Sequence, residues 1–173
     1  MSIPTRDWFP EAHWLRDYPR SKMGNRPLKG GAVLRFETLS CERKNELSQD
    51  EISFLVLWSE VDGDLSGLVT KDLVFGRPGE TNPLDLELQL DRLWDGDVLT
   101  VLVYERDTPP LDPHDPIGAV SFFPNETYSV FPGDFRKPGV VATNHLMVGR
   151  PSEILIDGGR NGSYRLGFSV IRE

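Results

Sequence analysis

From Ala32 onward the chain is written in short runs of β-branched and aromatic residues, several of them alternating apolar and polar side chains at the two-residue period of a strand. "LDLELQL" is the clearest, with Leu84, Leu86, Leu88 and Leu90 on one face and Asp85, Glu87 and Gln89 on the other. "AVLRFETLSC" sets Leu34, Phe36 and Thr38 against Val33, Arg35 and Glu37, and "SYRLGFSVIR" closes the chain with Tyr164, Leu166, Phe168 and Val170 in step. "ISFLVLWSEV", "LVTKDLVF", "DVLTVLVYER" and "IGAVSFF" supply further strands. No window carries a capped 3.6-residue period, so the pattern predicts seven or eight strands and less than about 15% helix, where an average domain holds about a third. The predicted fold class is all-β, an antiparallel two-sheet β-sandwich. Its expected core is Val33 or Leu34, Phe36, Phe54, Val56, the 84–90 leucine face, Val101, Val103, Ile117, Val120, Phe168 and Val170.

Two stretches depart from this texture. Residues 1–31 hold Trp8, Phe9, Trp14 and Tyr18 among Pro4, Pro10, Pro19 and Pro27, which leave no helical or strand period intact. We read 1–31 as an irregular aromatic arm and 32–173 as a single sandwich domain. So many aromatics argue for docking, on the body itself or on a partner, and Trp8, Phe9 and Trp14 are the candidate partner-binding residues, with oligomerisation through the arm as one outcome. The second stretch, about 125–157, contains only short apolar runs and predicts a long excursion before the last strand, with one short hairpin or helical turn.

Charge divides along the same boundary. The 173-residue chain has a net charge of −8, but residues 1–30 carry six basic and three acidic side chains, leaving 13 basic against 24 acidic in the remainder. An acidic body repels nucleic-acid phosphates and favours cations or basic partners, so nucleic acid is excluded as a partner. A single cysteine, Cys41, rules out an internal disulfide framework and a multi-cysteine zinc site, and reads as a buried structural thiol. No run approaches the roughly 20 apolar residues of a membrane span and the start has no signal-peptide pattern, so a cytoplasmic protein, or one exported without a recognisable signal, is expected.

The densest chemistry lies in "VLVYERDTPPLDPHDPIG", where Glu105, Asp107, Asp112 and Asp115 fall within eleven residues. Carboxylates that converge on one loop need a cation or solvent between them. Loops suit Ca²⁺, which takes six to eight oxygens from several directions, and prolines 109, 110, 113 and 116 stiffen this one. A solvated surface loop is the competing reading. "DGDLSGLVTKDL" matches the early positions of an EF-hand loop, but Leu73 stands where the bidentate acid belongs, and its Asp-Gly and Ser-Gly steps read as a hairpin connection. No Gly-x-Ser-x-Gly elbow, His-Glu-x-x-His helix or phosphate-cradling loop occurs, so the chain reads as a non-enzyme.

The run "LWDGDVLTVLVYERDTPPLDPHDPIGAVSF", in which a strand ends in an acidic loop and the next opens on "DPIG", resembles the second half of a C-two domain, the calcium- and lipid-binding β-sandwich of protein kinase C and synaptotagmins. "NELSQDEISFLVL" is similar to the family's first calcium loop, with Glu46 and Asp50 at the acidic positions and Glu51 as a further candidate. The resemblance covers about 32–123 and 163–173. It implies a Ca²⁺ site built from Glu46, Asp50, Glu105, Asp107, Asp112 and Asp115. Glu105 stands where the family usually has Asp, "TPPL" is inserted, and no polybasic strand is present. Two functions follow: a binding module whose acidic loop end, with Ca²⁺ as the candidate cofactor, engages a protein partner or membrane surface, or a metal-free structural β-sandwich subunit of a bacterial assembly or toxin system.

Overall fold

The computed structural model describes residues 32–44, 48–59, 65–89, 98–106, 115–123, 127–132 and 142–172. These form ten strands: β1 (Ala32–Arg43), β2 (Asp50–Ser59), β3 (Leu65–Phe75), β4 (Thr81–Gln89), β5 (Val98–Glu105), β6 (Asp115–Phe123), β7 (Thr127–Pro132), β8 (Ala142–His145), β9 (Ser152–Asp157) and β10 (Ser163–Arg172). One 3-10 turn, Gly159–Asn161, links the last two. They pair into a four-stranded sheet of order β4-β1-β10-β9 and a six-stranded sheet of order β3-β2-β5-β6-β7-β8, with every named pair antiparallel. The all-β antiparallel sandwich expected from the sequence is the observed fold.

The strand count exceeds the expected seven or eight because the described residues of the 125–157 excursion include three strands. β7 and β8 extend the six-stranded sheet, and β9 adds an edge to the four-stranded one. Short runs such as "TYSVFP" carry little periodic signal of their own and become strands by pairing, Val120 opposite Val130 and Phe122 opposite Tyr128.

Between the sheets lies one continuous core. Phe36 of β1, Phe54 of β2, Phe122 of β6 and Phe168 of β10 meet edge to face, with ring centroids 5.3 Å apart for Phe36–Phe54, 5.6 Å for Phe36–Phe122 and 5.5 Å for Phe122–Phe168. Leu34, Val56, Val101, Val103, Ile117, Val120 and Val170 fill the space around them, as the sequence pattern predicts. Leu84 is fully buried, while Leu86 and Leu88 pack only partly, because β4 is an edge strand. Leu90 lies outside the described residues.

Two irregularities shape the sheets. β1 and β10 slip register between Phe36 and Thr38, and there Gly167 is required: a Cβ on it would sit 2.7 Å from Thr38 Oγ1. Gly158, after β9, lies against β6, where a Cβ would come within 2.9 Å of Ile117 Cα. That close approach ties the β9–β10 link to the end of the six-stranded sheet where β6 begins.

Candidate functional site

Strand direction gathers the predicted acidic positions at one end of the sandwich. β2 starts at Asp50, and its neighbour β5 runs the opposite way to end at Glu105, with Ile52 opposite Glu105. β6 starts at Asp115, directly opposite Glu105. Inward-facing residues on these strands are Ile52, Phe54, Val101, Val103 and Ile117, so the two-residue period turns Asp50 and Glu105 toward the other sheet as well. Both are buried, at 0% and 2% exposure, and Asp115 is half-buried. Three strands therefore bring three carboxyl groups to one inter-sheet end, beneath the β1–β2 and β5–β6 connections. Glu46, Asp107 and Asp112 belong to those connections and lie outside the described residues, as do Trp8, Phe9 and Trp14 of the arm.

Asp50 has a partner that sequence reasoning did not assign. The Tyr164 hydroxyl of β10 donates to Asp50 Oδ2 at 2.5 Å, a buried bond that joins the two sheets. Burial, followed by the neighbouring Asp50, pushes the Tyr164 hydroxyl far above its ordinary range and keeps it a proton donor. Cys41 of β1 lies in the same cluster and shares a hydrogen bond with Tyr164. Burial raises its thiol, the state expected of a structural rather than a nucleophilic cysteine. The available signal was Tyr164 at an inward position of "SYRLGFSV", since a buried tyrosine hydroxyl needs a partner.

Positive charge surrounds this end without entering it. Arg106 follows Glu105; its backbone N–H donates to Glu51 O at 2.7 Å, and its guanidinium lies 3.8 Å from Glu51 and 3.5 Å from Asp72. On the four-stranded sheet, Arg43 bridges Asp157 Oδ1 at 3.0 Å, Ser163 Oγ at 3.1 Å and the Gly159 carbonyl. Lys44 donates to the carbonyls of Ser48 and Gly76. These contacts fasten the connections around the acidic end to the strands below them. The Ser163 hydroxyl at 2.7 Å and the Gly159 N–H at 2.9 Å hold the Asp157 carboxyl below its ordinary range, with Arg43 adding to the effect.

Among the described residues, no group of three or more His, Cys, Asp or Glu side chains is arranged to hold a metal ion. A six-carboxylate set thus depends on the positions outside them. Ser66, Gly67 and Val69 of the EF-hand-like stretch lie within β3, paired with β2, so the Ser-Gly step is strand where a turn connection was expected, and Asp62 and Asp64 lie outside the described residues. No helix among the described residues is long and apolar enough to cross a membrane.

No family model matches the chain, and no curated protein matches it. Among solved structures the chain is similar to human GIVD cytosolic phospholipase A2, at 11% identity and a TM-score of 0.37, over 87% of this chain and 17% of that one. The two-sheet sandwich stands on the strand order and shared core, independently of that likeness.

Proposed function

We propose that the chain is a non-catalytic, C-two-like binding module that engages a protein or membrane partner through its acidic loop end, with Ca²⁺ as the bridging cation. The observation that carries this reading is the convergence of Asp50, Glu105 and Asp115 from three neighbouring strands on one inter-sheet end. Carboxyl oxygens are the donors a hard cation prefers, and the described ones would need those of the flanking connections to complete a coordination shell. Asp50, Glu105 and Asp115, with Glu46, Asp107 and Asp112 of the flanking connections, are the residues that would hold it. Bound Ca²⁺ would neutralise the end and give an acidic body a positive point of contact for an acidic partner or anionic lipid. A non-catalytic role accords with a buried, raised Cys41 and with His145 lying exposed on edge strand β8.

Calcium titration with thermal melting tests this. A cation that binds only the folded chain raises the melting temperature with the logarithm of its concentration above Kd, and the Asp107→Asn/Asp112→Asn chain should lose that rise while becoming more stable in chelator. A melting temperature indifferent to millimolar Ca²⁺ would remove the cation and leave the fold intact.

A second reading, a structural sandwich subunit of an assembly without metal, is favoured by the sheet edges. Edge strands β3 and β9 each expose a large apolar residue, Val74 and Leu155. Sedimentation as a concentration-dependent oligomer in chelator would support that reading over the first.

A further inference from the structure

A two-layered sandwich turns one face of each sheet to the core and the other to solvent. The six-stranded sheet breaks that rule. Its outward positions are Ser53, Leu55 and Leu57 on β2, Thr100, Leu102 and Tyr104 on β5, and Ala119 and Ser121 on β6, and each is at most 3% exposed. They stand opposite one another in register, Leu55 beside Leu102 and Leu102 beside Ala119, and none belongs to the inter-sheet core. Their polar groups pair within the layer: Thr100 Oγ1 lies 2.8 Å from Ser121 Oγ, and Ser53 Oγ donates to Asp72 at 2.7 Å. No described strand or turn lies over this face, because every described element belongs to the two sheets or to the 3-10 turn that touches β6 from β9. Residues buried on both sides of a sheet call for a third layer above them.

We infer that the outer face of the β2–β5–β6 sheet is the docking surface for the chain's own N-terminal arm, residues 1–31, a basic and aromatic segment. Length is the first argument. The internal segments outside the described residues hold at most nine residues, and each is tethered at both ends to strands, whereas the arm is 31 residues tied only at Ala32. At about 3.3 Å per residue it can reach roughly 100 Å when extended, against a sheet-to-sheet thickness of about 10 Å. Chemistry is the second. A face made of Leu55, Leu57, Leu102, Ala119 and the Tyr104 ring calls for apolar cover, and Trp8, Phe9, Trp14 and Tyr18 bring more aromatic surface than any other segment outside the described residues. Charge is the third. The arm carries three more basic than acidic side chains, and at the rim of the face Glu51 and Asp72 share the single guanidinium of Arg106, which leaves one negative charge there.

Photo-crosslinking of the full chain tests the assignment, with benzoylphenylalanine replacing Trp8 in one variant and Trp14 in another. The expected products are intramolecular links to the peptides that hold Leu55–Leu57, Thr100–Tyr104 or Ala119–Ser121. Links confined to the four-stranded sheet, links between two chains, or no link from either position would overturn it. A measurement free of substitution accompanies this. On the unmodified chain, a zero-length carbodiimide cross-linker should join Lys22 or Lys29 to Glu51 of β2 or Asp72 of β3, the carboxylates at the rim of this face. Joining of those arm lysines only to carboxylates of the arm itself would count against the arm as occupant.

Discussion

The outer faces of the two sheets are built from the same strand geometry and end in opposite surroundings. On the four-stranded sheet, Arg35 meets Glu87 at 2.6 Å, and Arg165 meets Glu42 at 2.8 Å and Glu153 at 3.9 Å, all partly open to water. On β2, β5 and β6 of the six-stranded sheet the equivalent positions are leucine, alanine, serine, threonine and tyrosine, shut away from solvent. Alternation in sequence therefore reports what lies beyond each face rather than whether a strand is present. β4 and the middle of β1 alternate because only one of their faces is covered. β2 and β5 read as nearly continuous apolar runs, Ile52–Trp58 and Val98–Tyr104, because both faces are.

The largest effect that tests this contrast is on the covered face. Leu102→Ala removes a fully buried side chain outside the inter-sheet core and should cost about 2–5 kcal/mol in chemical denaturation, as a core leucine does. A cost below about 0.5 kcal/mol would mean the face is open, as on the other sheet. Next comes the bond that joins the sheets. Tyr164→Phe withdraws the hydroxyl donor from Asp50 and should cost about 1–3 kcal/mol at neutral pH. The same variant should flatten the alkaline limb of stability. Tyr164 and Cys41 are both raised by burial, so their contribution is complete below the unfolded thiol and phenol values of about 8.5 and 10 and is lost as pH climbs through the folded ones. Equal alkaline slopes for wild type and variant would sink that account. The smallest effect belongs to the solvated face: Arg35→Ala breaks a partly exposed ion pair and should change stability by less than about 1 kcal/mol, with the difference shrinking in salt.

Much of this molecule was legible one strand at a time. The alternation in 84–89 and 163–172 and most of the predicted core are local properties, since a two-residue period depends only on which side of the pleat a side chain takes. The acidic end was legible in part. "YERDTPPLDPHDPIG" marked a cluster of carboxylates on one loop between two strands, and the pairing of β5 with β6 sets Glu105 directly opposite Asp115.

What the residues alone left open were relations between segments distant in the chain. Asp50 and Tyr164 are 114 positions apart, and the bond between them exists only because β2 and β10, in different sheets, pack with those two side chains facing. The 125–157 excursion became strand through pairing partners that its own weak pattern does not name. The two sheets' opposite outer faces follow from the same cause. A run such as "ISFLVLW" demands burial on both sides by its composition, and which part of the molecule meets that demand is decided only when the sheets are assembled, because burial is a property of the surroundings and not of the strand.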